Sequence, residues 1–429
     1  MVELSAQRIL RSARRAVTDP RLTGVARALP RTAAVLNRAR SPLGPEGIPV
    51  TPVTAGLAAQ VMLDEILISV MRDPKLLPHG RDYEDAAAAI REARSLWEAN
   101  GWLTFPGNYH REPPVPSGVS LTREKALDIR YEHLTFPSRY EPPEGVPGRD
   151  TWLSHSENAT AHAWVLRHAD PSTPWLVCLH GFGMGRPAMD LRGFRATHLH
   201  WDLGVNLAFV VLPLHGPRQK PGAHRGEGFM SLNLVDSVHG LAQAVWDTRS
   251  VIRWIRSTSR PDVPIGVHGV SLGGLTSALV ASAEDGLACA IAGIPVSNLP
   301  DLYRRHSPPH VRRRAAAAAV LGPDADAVHS VVSPLVLEPK VERERRFIFA
   351  GVGDRMSTAG QARRLWEHWD RPRIEWYPGG HIGFFMAGGV QRFVDKALID
   401  SGLVRTEATA ALPLSPPETP PASQASGAL

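Results

Sequence analysis

His268-Gly269-Val270-Ser271-Leu272-Gly273-Gly274 is the stretch that decides how this chain is read. It holds a Gly-x-Ser-x-Gly motif. Residues 264–267 before it read as a short buried strand, and residues 274–281 after it as the start of a small-residue helix. A serine on so tight a strand-to-helix turn is forced into a strained backbone conformation, which only flanking glycines leave room for. The turn lifts its hydroxyl clear of the sheet and sets a helix N-terminus beneath it. A chain with 37 glycines can produce the motif by chance, so the strand and helix around it carry the reading.

If Ser271 is a nucleophile, it needs partners. A serine hydroxyl is too weak an acid to attack an ester unaided, so a histidine must take its proton. A carboxylate then fixes the tautomer of that histidine and stabilises the imidazolium. For a nucleophile on such a turn, the acid and then the base follow in the chain. Residues 346–351 (Arg-Phe-Ile-Phe-Ala-Gly) form a compact apolar strand, and the turn 352–355 after it carries Asp354. Ala362, Leu365, Trp366 and Trp369 then fall at helical spacing. A strand at 373–377 runs into Pro378-Gly379-Gly380-His381. Asp354 and His381 thus sit at strand ends in the required order. The chain has 18 histidines, so the two glycines before His381 and the strand it closes are what single it out. Asp354 can instead bond its own turn backbone, and Asp301, after the preceding strand, is the alternative acid.

An oxyanion hole should follow the first buried strand that leads into a glycine-rich turn. Residues 175–179 are that strand, and His180-Gly181-Phe182-Gly183-Met184-Gly185 follows. The backbone amides of Phe182 and Leu272 are the expected donors. A dinucleotide-binding turn is the rival, but it needs a third glycine where Arg186 stands. An ordinary glycine turn is the plain alternative.

From about residue 127 to 403 these features resemble the α/β-hydrolase superfamily. The resemblance rests on His180-Gly181, on the stretch from His268 to Gly274, on Gly353-Asp354 and on Gly379-Gly380-His381. A narrower similarity, to a poorly characterised branch of abhydrolase-domain proteins, rests on the run from Gly269 to Gly274 and on Gly379-Gly380-His381-Ile382. The resemblance implies a Ser-His-Asp hydrolase that needs no cofactor. It implies an α/β fold, a mostly parallel sheet of the eight-stranded type flanked by helices. The substrate stays open, because the fold hosts esterases, lipases, peptidases, thioesterases and lyases.

Composition agrees with a globular chain: 43% of its 429 residues are hydrophobic and 21% charged. Cys178 and Cys289 fall in separate buried strands, so a disulfide is not expected and reduced cytosol fits. No Cys-x-x-Cys or His-Glu-x-x-His spacing suggests a metal. The organisation expected is a helical N-terminal extension over 1–117, a hydrolase domain over 118–403 and a disordered tail over 404–429. In the extension, residues 57–71 are apolar enough for a buried helix, yet Asp64 and Glu65 interrupt it, and it is too short to span a bilayer. Residues 127–168 read as antiparallel strands.

An insertion at about 295–344 should form a helical cap. It carries Arg304, Arg305, Arg312 and neighbouring basic residues. Two readings are open, a solvated helix face or a cationic lid that selects carboxylate- or phosphate-bearing substrates, with Arg304, Arg305 and Arg312 as contacts. Charge is also uneven at the start. Residues 1–40 hold nine arginines against Glu3 and Asp19, whereas the whole chain carries a net +6. Ile9, Leu10, Ala13 and Val17 can form the apolar face of a helix that suits an anionic membrane surface; a docked surface helix and a transit peptide are the alternatives. Nucleic-acid binding is unsupported, since the arginines are not interleaved with aromatics.

The sequence therefore predicts a cytoplasmic, peripherally membrane-associated serine hydrolase acting on a carboxylic ester, with a lipid-like acyl ester as the first expectation. A peptidase of the same fold is one alternative, though no propeller or peptide-binding module is visible. A catalytically silent binding scaffold is the other, and the complete nucleophile, base and acid set argues against it.

Overall fold

Short apolar runs of five or six residues become the parallel strands at the centre of the molecule. The structure, a computed structural model, describes residues 31–33, 47–71, 78–223, 226–229, 231 and 233–404. Two helices come first, α1 (Ala55–Met71) and α2 (Gly80–Ala99). A hairpin of β1 (Ser120–Ala126) and β2 (Ile129–Pro137) follows. It turns through Leu127 and Asp128, both at positive φ, the left-handed pair whose twist matches that of paired strands. Then come α3 (Arg149–Leu153), β3 (Thr160–Leu166), β4 (Trp175–Leu179), α4 (Pro187–Gly193) and β5 (Asn206–Val210). The long helix α5 (Leu234–Thr258) leads to β6 (Ile265–Val270), α6 (Leu272–Ala283) and β7 (Cys289–Gly293). Three helices intervene, α7 (Leu299–His306), α8 (Pro309–Ala317) and α9 (Pro323–His329). The chain ends through β8 (Arg346–Gly351), α10 (Thr358–His368), β9 (Arg373–Tyr377) and α11 (Gly388–Asp400).

Among the described residues, nine strands form one sheet in the order β1-β2-β3-β5-β4-β6-β7-β8-β9. β1, β2, β3 and β5 pair antiparallel, and every pairing from β5 to β9 is parallel. Every residue of β4, β5, β6 and β7 is buried. Parallel strands covered on both faces are apolar throughout rather than alternating, which is why these runs were conspicuous. Alternate residues of β4 feed opposite cores: Trp175, Val177 and Leu179 face α2, α5 and α6, while Leu176 and Cys178 face α4 and α11. This is the α/β-hydrolase fold. Among the described residues it has nine strands rather than eight. The addition is β1, at the sheet edge, whose residues are almost all exposed and so show no buried pattern.

The N-terminal helices are built into the core. α2 places Tyr83, Ala86, Ile90 and Trp97 in the same apolar cluster as the sheet, and Trp97 Nε1 donates to the Val328 carbonyl of α9. Cys178 and Cys289 are buried unpaired thiols on β4 and β7, with β6 between them. Among the described residues no helix is long and apolar enough to cross a membrane. The basic leader, apart from residues 31–33, and the tail from 405 onward lie outside the described residues.

Candidate active site

Ser271 occupies the turn between β6 and α6, at φ 58° and ψ −114°. A non-glycine residue held there costs on the order of 1–3 kcal/mol and persists only where its surroundings over-determine it. The glycines around it supply closeness. A Cβ at Gly269 would overlap the Gly273 carbonyl, and one at Gly273 would overlap the Leu179 carbonyl at the end of β4. The Ser271 amide donates to the Gly293 carbonyl of β7 at 2.9 Å, so the turn is pinned to both neighbouring strands.

His381 follows β9 and Asp354 follows β8. His381 Nε2 lies 2.9 Å from Ser271 Oγ, and its Nδ1 lies 2.7 Å from Asp354 Oδ2. Both side chains of the latter pair are buried. Asp354 Oδ1 accepts from the amides of Met356 (2.8 Å) and Ser357 (3.0 Å), and the Ser357 hydroxyl lies 3.0 Å from Oδ2. Burial alone would lower the His381 pKa. The Asp354 charge and hydrogen bond outweigh it, and the pKa is raised above the usual 6.5. Burial would raise that of Asp354, but the His381 charge, that hydrogen bond and the Ser357 and Met356 donors bring it below the carboxylate range. The shifts reinforce each other.

The turn after β4 lies against the serine: a Cβ on Gly181 would be 3.5 Å from that of Ser271. The amides of Phe182, in this turn, and Leu272, at the start of α6, donate to no protein group among the described residues. Both residues line one cavity with Ser271 and His381. Its volume is about 2020 Å³, above the roughly 300–1,000 Å³ usual for small-molecule sites. On the α4 and α11 side it is walled by Phe194, Leu199, Ile294, Phe349, Phe384 and Val394; on the cap side by Leu299, Leu302, Tyr303 and Val311. His268 joins the apolar wall, and burial pushes its pKa down to about 4, so it is neutral there.

Three expected contacts are not brought into this cavity. Arg304 is spent on Asp326 (2.6 Å) and the Leu321 carbonyl (3.0 Å), while Arg305 and Arg312 are exposed. None of the three is among the lining residues, although Leu302, Tyr303, His306 and Val311 of the same helices are. The cap helices turn their apolar faces to the cavity, and these three arginines stay outside it. Asp301 likewise lies away from His381; its carboxylate engages Arg364 (2.5 Å) and Gln361 (3.3 Å). Conversely, sequence reasoning missed Ser357 and Asp64. Asp64 on α1 is buried against the His381 loop, accepting from the His381 amide at 2.7 Å. The signal for it was present in the two carboxylates inside an apolar helix. Among the described residues no group of three or more His, Cys, Asp or Glu could hold a metal ion.

No protein-family model matches the chain. Two proteins of Mycobacterium tuberculosis, described as uncharacterized proteins MT2702 and Rv2627c, are each 41% identical to it over 362 residues, which is 84% of this chain and 86% of the relative. Among solved structures, acetyl xylan esterase 1 from Thermoanaerobacterium sp. is 15% identical with a TM-score of 0.45, over 70% of this chain and 93% of that one. The acylaminoacyl peptidase of Pyrococcus horikoshii is 12% identical with a TM-score of 0.40, over 67% of this chain and 41% of that one.

Proposed function

The chain belongs to the family of the uncharacterized Mycobacterium tuberculosis protein Rv2627c, and from the site it carries we propose that it is a serine hydrolase cleaving a carboxylic ester. The observation that supports this most is the hydrogen-bonded chain from Ser271 Oγ through His381 to Asp354, set on a strained elbow. In this reading His381 Nε2 takes the hydroxyl proton as Ser271 Oγ bonds to the carbonyl carbon. The carbonyl oxygen becomes an oxyanion facing the Phe182 and Leu272 amides, aligned donors that stabilise the charge as it develops. Collapse of the adduct expels the alcohol, which leaves with the proton held on Nε2. Water then enters and attacks the acyl carbon as His381 takes its proton, and collapse of this second adduct releases the acid while His381 returns the proton to Ser271 Oγ.

The favoured acyl group is long and apolar. Supporting this are the cavity volume and the wall of Phe194, Leu199, Ile294, Phe349, Phe384 and Val394, since each buried methylene contributes about 0.8 kcal/mol. Arg304, Arg305 and Arg312 do not line the cavity, so they give no support to a cationic lid. A fluorophosphonate probe applied to the native chain and to Ser271→Ala tests the reading. Labelling that depends on Ser271 is expected; equal labelling of both would refute it.

A further inference from the structure

Resting on that reading, we propose that Asp64 is a positioning residue for His381: from α1 it ties together the two loops that carry the acid and the base, and it sets a second negative charge beside the imidazole.

Asp64 is fully buried and Glu65 nearly so, in a helix that is otherwise almost wholly apolar. Buried carboxylates need partners, and these two find theirs about 290 to 317 residues further on. Asp64 Oδ2 accepts from the amides of His381 (2.7 Å) and Arg355 (3.0 Å). One oxygen thus holds the base itself and the residue next to the acid. One turn earlier on α1, Gln60 Oε1 accepts from the Gly380 amide at 2.9 Å. The two glycines before His381 make this approach possible: a Cβ at Gly379 would overlap Gln60 Oε1, and one at Gly380 would meet Asp64 Oδ2 at 2.9 Å.

Among the described residues no salt bridge cancels the charge of Asp64. Arg355 gives its guanidinium to Glu65 (2.9 Å), which also meets Arg31 (3.4 Å). Asp64 Oδ1 has no hydrogen-bond partner among the described residues. The other groups facing it are Asp354 and His381 from the two loops and Tyr377 from the end of β9; Arg305 of α7 acts on Arg355, Glu65 and Asp354. Burial, then repulsion from Asp354, pushes the Asp64 pKa up to about 6, while the Asp64 charge pushes that of His381 up. Above pH 6 the imidazolium formed when Ser271 loses its proton therefore meets two carboxylates.

The sign of the stability effect separates this role from a structural one. An acid whose folded pKa exceeds its unfolded value of 3.8 destabilises the fold as pH rises from about 4 to 6. Removing that charge should not weaken the fold at pH 8. Asp64→Asn keeps an oxygen for the two amides. It is expected to leave the unfolding temperature at pH 8 unchanged or higher, to lower kcat/KM on the order of tenfold and to shift the acid limb of kcat/KM to lower pH. The His381 ring, followed by NMR, should titrate lower in step. Gln60→Ala weakens the same docking without touching charge, so it should lower the unfolding temperature and leave the acid limb in place. An acid limb and a His381 titration unmoved by Asp64→Asn would overturn the proposal, as would a Gln60→Ala shift equal to that of Asp64→Asn. If Asp64→Asn does not fold, the native ring carries the test: two inflections are expected from the coupled pair, and a single one overturns it. Fluorophosphonate labelling of native chain against Ser271→Ala is run alongside. No Ser271-dependent labelling sinks the hydrolase reading and this one with it; intact labelling with an unmoved limb sinks this one alone.

Discussion

Replacing Asp354 by asparagine exchanges one oxygen for an amide, and the surrounding hydrogen bonds determine which. Oδ1 accepts from the Met356 and Ser357 amides, so the side-chain oxygen of asparagine stays there and the loop keeps its shape. The NH₂ then takes the place of Oδ2, 2.7 Å from His381 Nδ1. Ser357 can turn its proton to the Ile294 carbonyl, 2.9 Å away, and accept from the new amide. His381 Nδ1 cannot turn away, so it must accept, and the ring proton moves to Nε2, which faces Ser271 Oγ at 2.9 Å. A protonated Nε2 takes no proton from serine. The expected loss in kcat is on the order of 10⁴, the size seen for the same change in a serine protease, or about 5.4 kcal/mol at 1.36 kcal/mol per tenfold. Initial rates on a short p-nitrophenyl ester at pH 8, with circular dichroism to check the fold, measure it. Asp301→Asn is the comparison: its carboxylate engages Arg364 and Gln361, so its rate should stay within about twofold, the effect of a distant substitution. A loss under tenfold at Asp354, or a severe one at Asp301, would refute the assignment.

Ser271→Ala and His381→Ala should each abolish ester turnover with the fold intact, and the double variant should be little worse than either, because such residues act as a unit; near-native turnover by Ser271→Ala would end the nucleophile assignment. The base must be neutral to act and its pKa is raised above 6.5, so kcat/KM should fall as pH drops through a value above 6.5; an inflection below 6.5 would mean that the burial effect on His381 outweighs its partners. The excess of arginine in residues 1–40 should draw the chain to anionic vesicles, at about 1 kcal/mol per engaged arginine. Removing residues 1–30, which spares the Arg31–Glu65 pair, should reduce salt-sensitive co-sedimentation; equal binding by both chains would leave the docked-helix reading.

The strands β4 and β8 fall on the residues the sequence indicates, because a strand buried in a parallel sheet is a short apolar run between turn formers; β9 does so as a half-buried edge strand, marked by Ile374, Trp376 and Tyr377 and by the Pro-Gly-Gly turn after it. β6 runs on past Val267 through His268 and Gly269, two residues that break the apolar signal. They are strand residues for tertiary reasons: His268 packs on the rings of Phe194 and Phe349, and Gly269 must clear the Gly273 carbonyl. β1 gave no signal because its exposed face is polar and its other partner is absent at an edge.

The site itself was more legible than its walls, and the reason is chemical. A serine that attacks, an imidazole that accepts and a carboxylate that orients can each be only one or two residue types, and the fold sets them at loop ends where glycines and turns mark the sequence. What a helix faces is decided differently. α7 carries Leu302 and Tyr303 beside Arg304 and Arg305 on barely two turns, so its composition announces both an apolar and a basic face without saying which meets the cavity. Packing decides it, since burying Leu302 stabilises and burying an unpaired guanidinium does not. Asp64 was hidden by distance rather than by ambiguity. A carboxylate in an apolar helix demands a partner, but only the folded chain reveals that the partners are backbone amides of the acid and base loops. Helix α1 is therefore tied to the chemistry as well as to the fold, because Asp64, fully buried, holds the backbone amide of the histidine on which the proposed reaction turns.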